Sequence, residues 1–294
     1  MAGAQLRDTR RRIRSVEATK KITRAMELIA ASRIPKARAR VLGSQPYTAK
    51  LIEVIENVGA GGAGASHTLL ERRDVTTVGL LIVSSDRGLA GAYASSIIRL
   101  AEARIADIAT DGKDVVLYTV GKKAQAYFRY RGYRIEQAYL GVTDTPGYGD
   151  ARAIANAVMV AYVDRHVDAI EATYTRYESA FTQVASQFEL LPITPPEMDE
   201  EEMAARVSYA FEPSPEEILN RLLPKYVEAT IFNMLLEASA SEHSARRRAM
   251  KAATDNAEEL IRHLTVQANR ARQAEITTAI TEIVGGAEAL AEIK

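Results

Sequence analysis

Three kinds of hydrophobic patterning follow one another along the chain. Over residues 4–58, apolar positions recur at spacings of three and four: Ile13, Val16, Lys20, Thr23 and Met26 form one stripe, and Ile22, Met26, Ile29 and Arg33 a second. This spacing predicts a long helix. Pro35 is expected to kink it without ending it, because Pro lacks an amide donor and crowds the carbonyl of Ala31. Gly43 to Pro46 predicts a second interruption.

From about residue 75 the period changes. Val78–Val83 (VGLLIV) is an unbroken apolar run ending in SSDRGLAG, and Tyr93–Ala109 reads as a helix. DGKDVVLYTVG predicts a turn and a second buried strand. Lys122–Arg131 reads as a short helix, Tyr133–Leu140 as a strand, Ala151–Arg165 as a helix, and Asp168–Tyr177 and Phe181–Leu191 as two further strands. Unbroken apolar strands alternating with helices imply a mostly parallel sheet covered on both faces. The acidic stretch PPEMDEEEM that follows is expected to be solvated.

From Pro215 to the end the pattern is helical again, with neither Pro nor Gly between Pro224 and Gly285. Sixty residues at 1.5 Å rise span about 90 Å. The expected seam is Met250, Ala253, Ala257, Leu260, Leu264, Ala268 and Ala271, built largely from alanine. Small seam residues bury little area each, so this helix needs a partner along its length, and residues 4–58, about 80 Å long by the same rise, can supply it. The expected fold is therefore α/β, with a long antiparallel coiled coil of N- and C-terminal helices and an inserted Rossmann-like α/β domain. Its parts are a helix at 1–58, a Gly-rich linker at 59–74, the α/β domain at 75–211 and a second helix at 212–294.

Composition narrows the function. Among 294 residues, Lys+Arg and Asp+Glu both number 38, yet residues 1–50 carry 13 basic side chains against three acidic ones. A basic arm on a neutral chain implies an acidic partner. Nucleic acid is one such partner, but Tyr47 is the arm's single aromatic, so base stacking is poorly served. Cysteine is absent, which excludes thiolate chemistry and disulfides. His67, His166, His243 and His263 are scattered without metal-ligand spacing and read as surface or structural residues. With no long apolar run and no apolar signal at the N-terminus, the chain is expected to be soluble and intracellular.

Two phosphate-binding motifs fail their tests. VGAGGAGASH contains G-x-G-x-x-G at Gly59, Gly61 and Gly64, but a helix precedes it and a loop follows, the reverse of the dinucleotide-binding context. It reads as a linker. SSDRGLAG does follow a strand and precede a helix, but lacks the lysine and hydroxyl of a P-loop. It reads as a tight connection. Arg246–Arg248 reads most simply as a solvated helix face and alternatively as a contact with an acidic partner, and Asp8, Glu17 and Glu27 read as intrahelical ion-pair partners. No catalytic residue, cofactor or metal is expected.

Five stretches carry a resemblance: KKITRAMELIAASRI (Lys20–Ile34), SSDRGLAGAY (Ser84–Tyr93), FEPSPEEILNRLLPKYVE (Phe211–Glu228), MKAATDNAEELI (Met250–Ile261) and ITTAITEIVGGAEAL (Ile276–Leu290). In this order, covering almost the whole chain, they closely resemble the gamma subunit of bacterial F-type ATP synthase. The resemblance implies a non-catalytic central rotor shaft, whose coiled coil sits inside the ring of α and β subunits. Its α/β domain would meet the epsilon subunit and the membrane c-ring on the cytoplasmic side of a bacterial plasma membrane. It further implies that Arg24 and Met26 oppose the acidic lever of β, and that the loop of Arg87, Gly88 and Gly91 lies near that lever. Arg272, Gln273 and Thr277 would make contacts near the C-terminal tip, and Tyr209, Phe211 and Glu212 would form a foot on the c-ring and epsilon. No nucleic acid and no small-molecule substrate is implied. The chain departs from the family pattern at Ala279, usually glutamate, at Ala90, often cysteine, and at Pro35.

Overall fold

The computed structural model describes residues 2–58, 67–194 and 214–292. The chain divides into two compact units, Met1–Ile29 with Arg247–Lys294, and Ala30–Arg246. Two long helices contribute to both: α1, Ala2–Val58, and α5, Pro215–Glu292.

In the second unit the strands are β1 (Thr77–Val83), β2 (Asp114–Val120), β3 (Ile135–Tyr139), β4 (Ala169–Tyr177) and β5 (Gln183–Leu191). Helices α2 (Tyr93–Thr110), α3 (Lys122–Tyr130) and α4 (Tyr148–Val163) connect them. The sheet order is β3-β2-β1-β4-β5, parallel except for the antiparallel β5 hairpin partner. The expected strands and helices are all present, their ends shifted by up to three residues.

Alternation along the central strands divides the core in two. Leu80 and Ile82 of β1 and Leu117 of β2 meet Ile97, Ala101 and Ile105 of α2 and Ala124 and Phe128 of α3. Leu81, Val83, Tyr118 and Val120 point the other way, onto α4, onto Ile55 and Val58 of α1 and onto Leu219–Ala238 of α5. Both faces are covered, which is why β1 reads as a continuous apolar run.

Helix α1 passes through Pro35 and Pro46 without ending, so the interruption expected at Gly43–Pro46 is absent. A proline removes one hydrogen bond. Burial of Val41, Leu51, Ile55 and Val58 on either side, with a hydrogen bond of 2.6 Å from Asn233 Nδ2 to Thr48 Oγ1, holds the segment helical.

In the first unit α1 and α5 pack antiparallel: Lys20 Nζ lies 3.3 Å from Glu258, and Thr23 meets Thr254. The buried or half-buried positions of α1 here are Leu6, Thr9, Ile13, Val16, Lys20, Thr23, Met26 and Glu27, and those of α5 are Ala249, Met250, Ala253, Thr254, Ala257, Ile261, Leu264, Ala268 and Ala271. Two expectations need correction. Leu260 is 46% exposed and Ile261 takes its seam place, while Thr254 is buried beside the half-buried Ala253. Only a strict alternation of three and four keeps one stripe facing a partner, and Thr254 and Ile261 preserve it. Of the second stripe expected on α1, Ile22 and Ile29 are exposed, whereas Met26 and Arg33 are half-buried.

Candidate functional site

Ser84–Ala92 joins β1 to α2. Its anchor is Asp86, whose Oδ1 accepts from the Lys122 amide at 3.1 Å and whose Oδ2 accepts from the Thr143 amide and hydroxyl at 3.2 and 3.0 Å. Burial alone would raise this carboxyl. The hydrogen bonds from Gly141, Thr143 and Lys122 outweigh it and hold the group below the ordinary carboxylate value. Lys123 donates to Ser85 O at 2.9 Å, closing the loop onto α3. With both ends held, Arg87, Gly88 and Leu89 are presented to solvent. Leu89 has φ of 62° and Gly91 φ of 59°. A leucine held in this left-handed region is uncommon, and its side chain stays 62% exposed while Ala90 beneath it is buried. The loop, with Lys123, Tyr127 and Tyr130 of α3, borders a groove of about 500 Å³.

Arg246 is not on a solvated face as its RRR context suggested. It is buried, pairs with the buried Glu242 one turn earlier, and donates to Gly88 O at 3.3 Å. Burial holds the Glu242 carboxyl above its ordinary value, and Arg246 only partly offsets this. Arg247 and Arg248 are exposed. The signal available in the sequence was Glu242 four residues before Arg246, the i,i+4 spacing of a helical ion pair. His243 is buried among these residues and His67 caps a short 3₁₀ turn through Nδ1, so both are structural, as their scatter implied.

In the first unit Arg24 bonds Glu27 at 2.8 Å and keeps its side chain 54% exposed, while Met26 is half-buried. Asp8 and Arg11 form the same kind of pair at 2.7 Å. Arg272, Gln273 and Thr277 are exposed on α5. They are not gathered with Arg24 and Met26: they lie roughly 28 Å further along α5 from the point opposite Arg24, at 1.5 Å per residue. Tyr209, Phe211 and Glu212 lie outside the described residues, as do Gly59, Gly61 and Gly64.

One feature absent from the expected sites stands out on distal α5. Every described side chain from Arg272 to Ala287 is exposed, including Ile276, Ile280, Ile283 and Val284 at 51 to 73%. The first three are spaced by four and three, one helical face. That spacing is visible in ITTAITEIV and is the signal that could have found them. Among the described residues no group of acidic, histidine or cysteine side chains could hold a metal ion.

A family model described as ATP synthase matches residues 5–290. The ATP synthase gamma chain of Parafrankia sp. (strain EAN1pec) is 48% identical, covering 99% of both chains. The ATP synthase gamma chain of Acidothermus cellulolyticus is 49% identical, covering 98% of both. In solved structures, a chain of the Euglena gracilis mitochondrial ATP synthase, seen with OSCP, F1 and the c-ring in rotational state 3, shares the fold. Its TM-score is 0.71 at 16% identity, over 98% of this chain and 95% of that one.

Proposed function

The chain belongs to the ATP synthase gamma-chain family, and from that premise we propose how its parts serve rotation. It is a non-catalytic central-stalk subunit that couples rotation to the catalytic head. Residues 1–58 and 212–294 form an antiparallel coiled coil, 59–74 a linker, and 75–211 a Rossmann-like module. The coiled coil turns within a ring of α and β subunits. The module meets epsilon and the c-ring on the cytoplasmic face of a bacterial plasma membrane. No described helix is long and apolar enough to cross a membrane, in keeping with a peripheral place.

The observation that carries this reading is the bare apolar face of distal α5. Burying an isoleucine stabilises by roughly 1.5–3 kcal/mol, so a helix that leaves Ile276, Ile280 and Ile283 uncovered needs an enclosing surface. A ring of subunits around the shaft is such a surface. Apolar contact is non-directional and tolerates turning, whereas directional hydrogen bonds at the same place would resist it.

Arg24 and Met26, the loop of Arg87, Gly88 and Gly91, and Arg272, Gln273 and Thr277 are the proposed contacts with the head, with Tyr209, Phe211 and Glu212 the proposed foot. Exposed cations contribute about 0–1 kcal/mol each, so they guide the fit and do not grip. The test is purification of the tagged chain from detergent-solubilised native membranes. Recovery of one copy per α and β ring in an ATP-hydrolysing complex supports the reading. Recovery without ATPase subunits overturns it.

A further inference from the structure

The portions of α1 and α5 that belong to the second unit converge on one short segment between β3 and α4. Arg33 Nη1 of α1 lies 2.5 Å from both carboxylate oxygens of Asp144. Arg40, two turns later on the same face, donates to Pro146 O. From α5, Ser239 Oγ donates to Asp144 O at 3.1 Å, and His243 Nε2, one turn further on, lies 3.3 Å from that carbonyl and 4.0 Å from the carboxylate. Tyr148 OH donates to Glu228 of α5 at 2.6 Å. The opposite side of the segment is tied to the loop between β1 and α2 through Thr143 and Asp86.

Apolar packing does not fill this level of the junction. A cavity of about 170 Å³ lies among Arg33, Arg40, Asp144, Leu236, Ser239 and His243. The apolar cluster beside it is small, with Val41, Leu236 and Ala240 as its buried members. Apolar contact alone lets a helix turn about its axis, because it has no preferred direction. Charge-assisted and carbonyl hydrogen bonds have one. A rotation of 100°, one residue of helix, would carry Arg33 or Ser239 off the segment altogether.

We propose that Thr143–Tyr148 is a rotational lock, in which Asp144, held by Arg33 from one helix and by Ser239 and His243 from the other, fixes both helices in azimuth on the α/β part. The inference rests on the rotor reading, and it makes Arg33, Asp144, Ser239 and His243 positioning residues for torque transmission. Load borne by the α/β part passes into α1 and α5 without slip because two helices share one anchor.

The test uses the complete ATP synthase carrying this chain, reconstituted in vesicles. ATP hydrolysis without a gradient is compared with the largest proton gradient against which ATP-driven pumping continues. Asp144→Ala leaves unopposed hydrolysis within about twofold of wild type and lowers the stalling gradient about threefold, and the exchange Arg33→Asp with Asp144→Arg recovers at least half of the loss. Asp144→Asn, which keeps size and backbone, shows the same loss in smaller degree and decides the matter if Asp144→Ala fails to assemble. Stalling at the wild-type gradient in the substituted complexes overturns the lock. A wild-type chain that does not assemble into a pumping complex overturns the rotor reading instead.

Discussion

Thr23 and Thr254 meet across α1 and α5 with their hydroxyl oxygens 2.8 Å apart, both side chains buried. Each hydroxyl also lies within reach of a carbonyl of its own helix, Thr23 at 3.1 Å from Lys20 O and Thr254 at 2.8 Å from Met250 O. One proton per hydroxyl suffices to satisfy the pair: one threonine donates to its helix and accepts from the other. Thr23→Val or Thr254→Val alone removes the bond between the hydroxyls, leaving the remaining one bonded only to its own helix, and costs about 1 kcal/mol. The double substitution costs less than the sum of the two. Denaturant unfolding followed by helical circular dichroism measures the cycle, and strict additivity would sink this account.

Arg246→Ala strands Glu242, whose side chain is 2% exposed. Removing one partner of a buried pair destabilises by roughly 3–5 kcal/mol. The folded carboxyl is already raised by burial, and losing its cation raises it further. A group raised in this way contributes stability that is fully present below its unfolded value and lost as pH rises through the folded value. The deficit of the variant against wild type is therefore smaller near about pH 5 than near about pH 8. Melting temperatures of both proteins across that range check the sign.

Gly121 and Gly43 are expected to respond to alanine in opposite directions. Gly121 has φ of 94°, and an added Cβ would lie 2.7 Å from the Ser85 carbonyl carbon. Backbone cannot move aside cheaply, so Gly121→Ala costs about 3 kcal/mol and displaces the loop that carries Arg87. Gly43 sits inside α1 with nothing within 4 Å of the added atom, and Gly43→Ala stabilises by about 0.5–1 kcal/mol. Thermal unfolding of the two single variants separates them.

Replacing Ile276, Ile280 and Ile283 together by Asn tests the uncovered face. Because these side chains are exposed in the chain by itself, each substitution changes its stability by no more than about 0.5 kcal/mol. Assembly should suffer instead, seen as a lower yield of ATP-hydrolysing complex from membranes. An undiminished yield with a destabilised chain would reverse the assignment.

The order of elements, the two-sided sheet and the pairing of the chain ends were legible because burial imposes periods of 2 and 3.6 on apolar residues, and these survive in a one-dimensional string. The α1 seam at Ile13, Val16, Lys20 and Thr23 was readable for the same reason. What period alone left open was which of two adjacent stripes faces inward. Ile22 and Ile29 are as apolar as Ile13, and Leu260 more so than Thr254, yet the partner helix covers Thr254 and leaves Leu260 out. Only the tertiary structure decided that, because a seam is a property of two surfaces together. It also decided that Arg246 is buried while Arg247 and Arg248 are not, and that Asp144 is shared by α1 and α5. Those are contacts between residues far apart in the chain, and no local pattern encodes their geometry.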